Sequence, residues 1–443
     1  MDINRFYFKV RILTIAPKPM ERTGLMLAAE DGLNNIAQDF LHLKPDLKIK
    51  DRYGHSATIL AAKNGNVDIL NILLNAGGDK NDKINIKETP LMLATKNGHG
   101  KVVAFLLKRH ADINLQSAEG WTALMFASKR GYASIVNYLL KHDANPNLQT
   151  DAGWTALLFA AEAGHEIIAN SLLRHGANPN LQADAGWTAL GHASSKNNSG
   201  IVASLLKSGA DPNIQNHEGW TALMLAAKRG YESIANDLLK HGANPNLQNH
   251  KGWSALIIAA GEGNEIIAND LLKHDANPNL QILEGWTALI FAADRGDKRS
   301  VLKLLKNDAD VNYQNVGNNT ALNRAAAEGH MKIAMMLVHE DANINHKGYN
   351  GMSPLAMAAL HDHGKMVHYL LHKNAEVNLQ DDYGCTALMR AAYNGNIKIV
   401  SMLLKDNADI DIKSNSGKKA RDYALKQGHT DVVDILIQGY KGN

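Results

Sequence analysis

All six tryptophans of this chain lie 33 residues apart, at Trp121, Trp154, Trp187, Trp220, Trp253 and Trp286. Composition alone cannot impose a fixed period on so rare a residue type, so the chain is built by repetition. A period of 33 matches the length of one stacked helix-pair unit. Such units add to a stack without forming separate cores. The two or three domains that 443 residues would otherwise imply are therefore not expected. Function is to be sought along an extended surface rather than in one closed cleft.

Counting from Ser117 places repeat starts at 117, 150, 183, 216, 249, 282, 315, 348, 381 and 414, with no insertion. Stepping backwards adds 84, 51 and 18, with a weakening pattern. This gives thirteen repeats over residues 18–443, the last one cut short, and an N-terminal segment of residues 1–17 outside the array. That segment has an apolar patch (Phe6, Tyr7, Phe8, Val10, Ile12, Leu13) interrupted by Lys9 and Arg11, and no small-residue cleavage site follows. It is expected to cover the apolar face of the first repeat rather than to direct secretion.

Residues 216–248 show why one unit folds. Thr221 can cap a helix through its hydroxyl. Leu223, Ala226 and Ala227 form one apolar face at helical spacing. Gly230 stands where a left-handed residue would stop that helix. Ile234, Ala235, Leu238 and Leu239 mark a second helix ending at Gly242, and Asn244-Pro245-Asn246 supplies turn chemistry. Neither helix can bury its apolar face within the pair, so stability must come from neighbours.

The recurring order G-W-T-A-L, A-A, G, L-L-K-H-G-A-N-P-N resembles the ankyrin repeat. The usual proline after the capping residue is kept only at Pro90 and Pro354. The resemblance implies an all-α ankyrin solenoid of about 13 stacked helix-turn-helix repeats with β-hairpin-like loops. The final unit carries Lys418, Lys419, Arg421, Asp422 and Lys426, which suits a solvent-facing terminal repeat, and the first two units are degenerate (Asn75 to Lys83, for instance). Residues 191–200 lack the inter-helix glycine, with Asn197 in its place, so a locally weaker first helix is expected there. Glu166–Asn170 recurs at Glu265–Asn269, and Lys129–Tyr132 at Lys228–Tyr231, both at an offset of three repeats. The central array therefore reads as a duplicated three-repeat block.

The tryptophans are the first candidate binding residues. The resemblance sets them at the hairpin end of the concave surface. With helix axes ~8–10 Å apart they would form a ladder roughly 40–50 Å long. Tryptophan is a favoured interface anchor, although each indole can equally pack on the adjoining hairpin. Charge at the ends of the first helices is the second candidate. Lys129-Arg130, Glu162, Lys196, Lys228-Arg229, Glu262, Asp294-Arg295 and Glu328 change sign at most, though not all, steps from unit to unit. Such a track suits an extended protein ligand better than a phosphate backbone, which would select a uniformly basic one.

Other chemistry finds little support. His142, His175, His241 and His274 recur at second-helix ends, where an N–H donor suits exposed carbonyls. His99, His165 and His330 follow inter-helix glycines and are expected to bond to neighbouring turns. His361, His363, His368 and His372 cluster, but without the glutamate spacing of a metalloprotease helix. No metal or cofactor is expected. Cys385 replaces the tryptophan of its unit and is expected at a hairpin tip, somewhat exposed, with no oriented base to make it a nucleophile. No phosphate-binding glycine loop occurs; Gly417-Lys418-Lys419 lacks the leading glycine. Asn114, Asn213 and Asn312 resemble ankyrin asparagines modified by a eukaryotic hydroxylase, but their default role is to bond the hairpin backbone.

The charge balance, +3 from 47 basic and 44 acidic residues, is far from that of a dedicated nucleic-acid binder. No apolar run approaches a membrane span, and one cysteine gives no internal disulfide and no sign of an oxidising compartment. The expected protein is a non-catalytic, monomeric, cytoplasmic scaffold that binds a protein partner through its concave face. The alternative is an inert spacer whose length is what matters. Asn- and Lys-rich repeats with block duplication also resemble ankyrin proteins of intracellular bacteria. That likeness implies an effector in a host cytoplasm with a host protein as partner.

Overall fold

A computed structural model describes residues 22–438, so the expectation for residues 1–17 lies outside the described residues. The chain divides into two compact units, Met1–His217 and Glu218–Asn443. Among the described residues the first holds six helix pairs, from Gly24–Asp31 with Asn34–His42 to Ala189–Ser195 with Ser199–Lys207. The second holds seven, from Ala222–Arg229 with Glu232–Lys240 to Ala420–Gln427 with Thr430–Gln438. First helices begin 33 residues apart throughout.

Local chemistry sets the helix limits. First helices from Gly24–Asp31 to Ala387–Asn394 start on a Thr or Ser whose hydroxyl accepts the N–H three residues on. Thr221 does so from Met224 at 3.2 Å, a bond that stabilises the helix by about 1 kcal/mol. Pro90 and Pro354 occupy the first helical turn, where the missing N–H costs nothing. In the last unit Lys419 replaces the hydroxyl residue, and its N–H donates to the Asp422 carboxylate at 2.9 Å. Lys418, Arg421 and Lys426 around it are exposed, as expected of a terminal repeat.

Gly131 ends its helix at φ +79, and a Cβ there would lie 2.9 Å from the His165 ring. Glycine is thus required twice, for its backbone angle and for the next unit's close approach. Asn197 takes over this left-handed role at φ +61. Ala189–Ser195 forms as a seven-residue helix, the same length as Ala57–Lys63 and Pro90–Lys96, so its extent shows no weakening.

Within each unit, first helices pack on the first helices of their neighbours and on their own second helices. Leu223, Ala226, Ala227, Ile234, Ala235, Leu238 and Leu239 are all buried. Each such leucine contributes about 1.5–3 kcal/mol by leaving water. Alanine keeps first helices close, and its small area makes the core a relay of thin layers.

The β-hairpin-like loops are short turns, closed for instance by Ser117 N–H to Trp121 O at 2.9 Å. No strand forms among the described residues, and the sole bridge joins Gln281 and Thr287. Most turns reach a neighbour by a single backbone bond, such as Ala118 N–H to Ile86 O at 2.8 Å and Asp184 N–H to Ala152 O at 2.9 Å, while Tyr349 N–H uses the Asn319 Oδ1. One bond per turn cannot sustain a ladder.

Side chains make the longitudinal ties that backbone does not. The Asn114 Oδ1 accepts the Asn145 N–H, Asn147 that of Asn178, and Asn180 that of Asp211, at 2.7–2.8 Å. The second unit continues the pattern at Asn246, Asn279 and Asn312. Gln116, Gln149, Gln182, Gln248 and Gln380 each donate to the glycine carbonyl of their own turn and to a carbonyl one repeat on.

Candidate functional site

The tryptophans enter this scaffold just before each first-helix cap, and their N–H groups are held by the turn. Trp121 N–H donates to Ser117 Oγ, Trp154 N–H to Thr150 Oγ1 and Trp253 N–H to Asn249 Oδ1, each at 3.0 Å. None of the six is fully exposed; all are half-buried. The tryptophans are therefore partly covered, with part of each indole left open. The cover comes from rings on the first helices.

In the first unit these rings form a continuous row. Trp121 stacks on Phe126 of its own helix (centroids 4.8 Å apart) and on Phe159 of the next (4.5 Å). Trp154 lies 4.9 Å from Phe159 and 4.9 Å from His192, and Trp187 is 6.4 Å from His192. Trp121 and Trp154 thus each tie two repeats together, at about 0.5–1.5 kcal/mol per pair beyond the area covered. The Trp187 indole lies over Gly191, where a Cβ would sit 2.7 Å from Cε3. The departure of residues 191–192 from the repeat pattern is a local solution for that ring. Burial lowers the pKa of His192, opposed by the negative charge of Glu162 and reinforced by Lys196. Its Nε2 has no hydrogen-bond partner.

The second unit repeats the theme with fewer rings. Phe291 lies 5.4 Å from Trp253 and 4.7 Å from Trp286.

Cations lie across these rings. The Lys129 Nζ is 5.0 Å from the Trp121 ring and 5.2 Å from Phe159, and Lys228 Nζ is 5.2 Å from Trp220. Such contacts stabilise by about 0.5–1 kcal/mol at exposed places and hold the long side chains flat. Arg130, Arg229, Glu262 and Arg295 are exposed, and Arg295 Nη2 donates to the Glu262 carbonyl at 3.3 Å. The sequence reading missed Arg324, which stands over Trp286 at 5.9 Å, bonds Asp294 through Nε at 2.6 Å and pairs with Glu328 at 3.0 Å. It also missed Phe126, Phe159 and Phe291. The available signal was their shared place, nine residues after the repeat start, where Arg324 also falls.

Two recesses open on this face of the first unit. One, of about 530 Å³, is lined by Glu88, Lys96, Glu119, Trp121, Phe126, Lys129 and Arg130 among others. The second, of about 490 Å³, shares Glu119, Trp121 and Lys129 and extends to Trp154, Phe159 and Glu162. Lys96 is held by buried Glu88 at 2.9 Å and lies over Phe126.

A family model for ankyrin repeats matches residues 25–117, 109–183, 168–249, 223–315, 297–381 and 375–443. The chain belongs to the ankyrin-repeat family. Comparison with curated proteins gave no match. Ankyrin repeats are in general protein–protein interaction modules, and ankyrin proteins are typically non-catalytic scaffolds. No helix among the described residues is long and apolar enough to cross a membrane.

The remaining candidates of this ankyrin array have structural places. The Nδ1 atoms of His142, His175, His241 and His274 bond the carbonyl four residues back at 2.8–2.9 Å, so these rings close second helices. His99, His330 and His363 bond carbonyls of the preceding unit at 2.8–3.0 Å. No group of three ligands fit for a metal occurs among the described residues. Asn114 and Asn312 bond adjoining turns through both side-chain atoms. Cys385 is a correction: it is buried, not exposed. Its N–H donates to Asp381 Oδ1 at 2.8 Å, and Sγ lies 3.4 Å from the Tyr423 hydroxyl. A thiol is small enough to be enclosed where an indole would protrude.

Proposed function

We propose that the tryptophan-bearing face binds an extended segment of a protein partner. The ankyrin resemblance makes this the concave face. The carrying observation is the pair of adjoining recesses that share Trp121, Lys129 and Glu119. They offer aromatic faces and both signs of charge at a one-repeat spacing of ~8–10 Å, which suits every third side chain of an extended ligand rising about 3.1 Å per residue. Trp121, Trp154 and Trp187 supply area in the first unit, with Lys129 and Arg130 at the rim. Trp220, Trp253 and Trp286 do so in the second, with Lys228, Arg229, Glu262 and Arg295. Rim charges contribute register, association rate and a share of the affinity.

The half-buried, ring-stacked tryptophans also favour a second reading, a stiff spacer in which the indoles only tie repeats together. Block duplication and Asn/Lys-rich repeats support a host protein as partner, in the manner of a bacterial effector in a host cytoplasm. Proximity labelling in eukaryotic cells identifies the partner, and capture by the purified full chain then separates the readings. Arg130→Glu/Arg229→Glu should lower capture at least about tenfold with thermal stability unchanged, because both side chains are exposed. Unchanged capture by this variant would remove the binding reading. Loss of thermal stability in Trp187→Ala/Trp220→Ala with capture intact would favour the spacer.

A further inference from the structure

A second surface, sharing no residue with the aromatic shelf, lies on two adjacent second helices of the second unit, Lys298–Leu305 and Met331–His339. Between them is a groove of about 550 Å³. Its floor is apolar: Leu302 and Met335 are exposed at 40% and 47%, with Met336 half-buried beside them.

This floor departs from the rest of the array. The fifth position of the second helix is Asn71, Asn137, Asn170, Asn236 and Asn269 in five other repeats. There the side chain is a half-buried amide, and those of Asn71 and Asn137 accept bonds from Arg109 and Ser171 of the following repeat. Leu302 and Met335 replace it in two consecutive repeats, so two exposed apolar side chains fall side by side. Methionine is an adaptable contact residue, able to refit around different apolar partners.

The rim carries the second clue. Lys298, Lys306 and Lys332 line the groove, and none of them forms an ion pair among the described residues. Neighbouring Arg299, by contrast, is paired with Glu265 at 2.5 Å. The groove's one acid, Glu340, already contacts the His339 ring at 3.1 Å. An apolar trough edged by three unpaired cations selects for a ligand with apolar side chains on one face and carboxylates flanking them. The bordering helices rise about 12–14 Å at 1.5 Å per residue, which accommodates two to three turns of a third helix laid along them.

We propose that this groove docks an acidic amphipathic helix of a partner protein, with Leu302, Met335 and Met336 receiving its apolar stripe and Lys298, Lys306 and Lys332 its carboxylates.

The test is fluorescence anisotropy with the full chain and a labelled synthetic helix bearing Leu at i, i+3, i+4 and i+7 and Glu elsewhere. Saturable binding that weakens with salt is expected. A peptide with Lys in place of every Glu should not bind. Leu302→Asn/Met335→Asn, which installs the side chain that five other repeats carry, should weaken binding at least about tenfold. Lys298→Glu/Lys306→Glu/Lys332→Glu should do the same, and its exposed sites leave the fold intact whatever the first variant does. Absence of saturable binding, equal binding of the lysine peptide, or affinity unchanged in the triple lysine variant would overturn the proposal. So would association of the chain with phosphatidylserine vesicles but not with the peptide.

Discussion

At the scale of single residues, His192 is the place where repetition was broken and a titrating group put among rings. Phe126, Phe159 and Phe291 fill the equivalent position in other repeats. Burial holds the His192 pKa below its ordinary 6.5, so the folded protein resists protonating it. In the unfolded chain the ring takes up a proton as pH falls through about 6.5, and the unfolded state therefore gains more protons. The stabilising contribution is whole above that pH and declines as pH drops toward the folded pKa. His192→Phe should therefore flatten the fall in denaturation midpoint between about pH 7.5 and pH 5.5. Equal slopes in wild type and variant would show that this ring does not feel its burial.

At the scale of the element, helix ends were legible and lateral ties were not. Thr221, Gly230 and Gly242 act through their own backbone, so their roles follow from position in one unit. Phe159 and Lys129 act on a tryptophan of the same or the preceding repeat, and a one-unit reading cannot see across that step. The asparagine ladder lies between the two cases: the turn residues were recognised as turn-formers, but their Oδ1 atoms point forward to the next repeat. Asn147→Ala should cost about 0.5–1.5 kcal/mol in chemical denaturation, because Asn178 N–H and Gly176 O each lose a protein partner to water. A neutral result would mean that the ladder merely accompanies the stacking of helices. Cys385 failed as a sequence reading for the same reason. Its exposure is decided by Tyr423, one unit further on.

At the scale of the whole molecule, repetition separates what holds the fold from what recognises a ligand. Leu223, Ala226 and Leu238 recur with little change and carry packing. Arg130, Glu262, Leu302 and Met335 occupy places where the pattern lets side chains vary, and both proposed surfaces are made there. The family and the helix-pair architecture were therefore readable from period alone, whereas the partner is not, since no periodicity encodes it. The central claim is that each helix pair is held by its nearest neighbours through interchangeable ties. Removing one full period, residues 249–281, would leave Asn246 facing Asp310 as Asn279 does now. The direct measurement is far-UV circular dichroism and denaturant unfolding of that deletion. Helicity per residue should match wild type, with an m-value reduced in proportion to the surface removed. Loss of helical signal or of a cooperative transition would contradict the account.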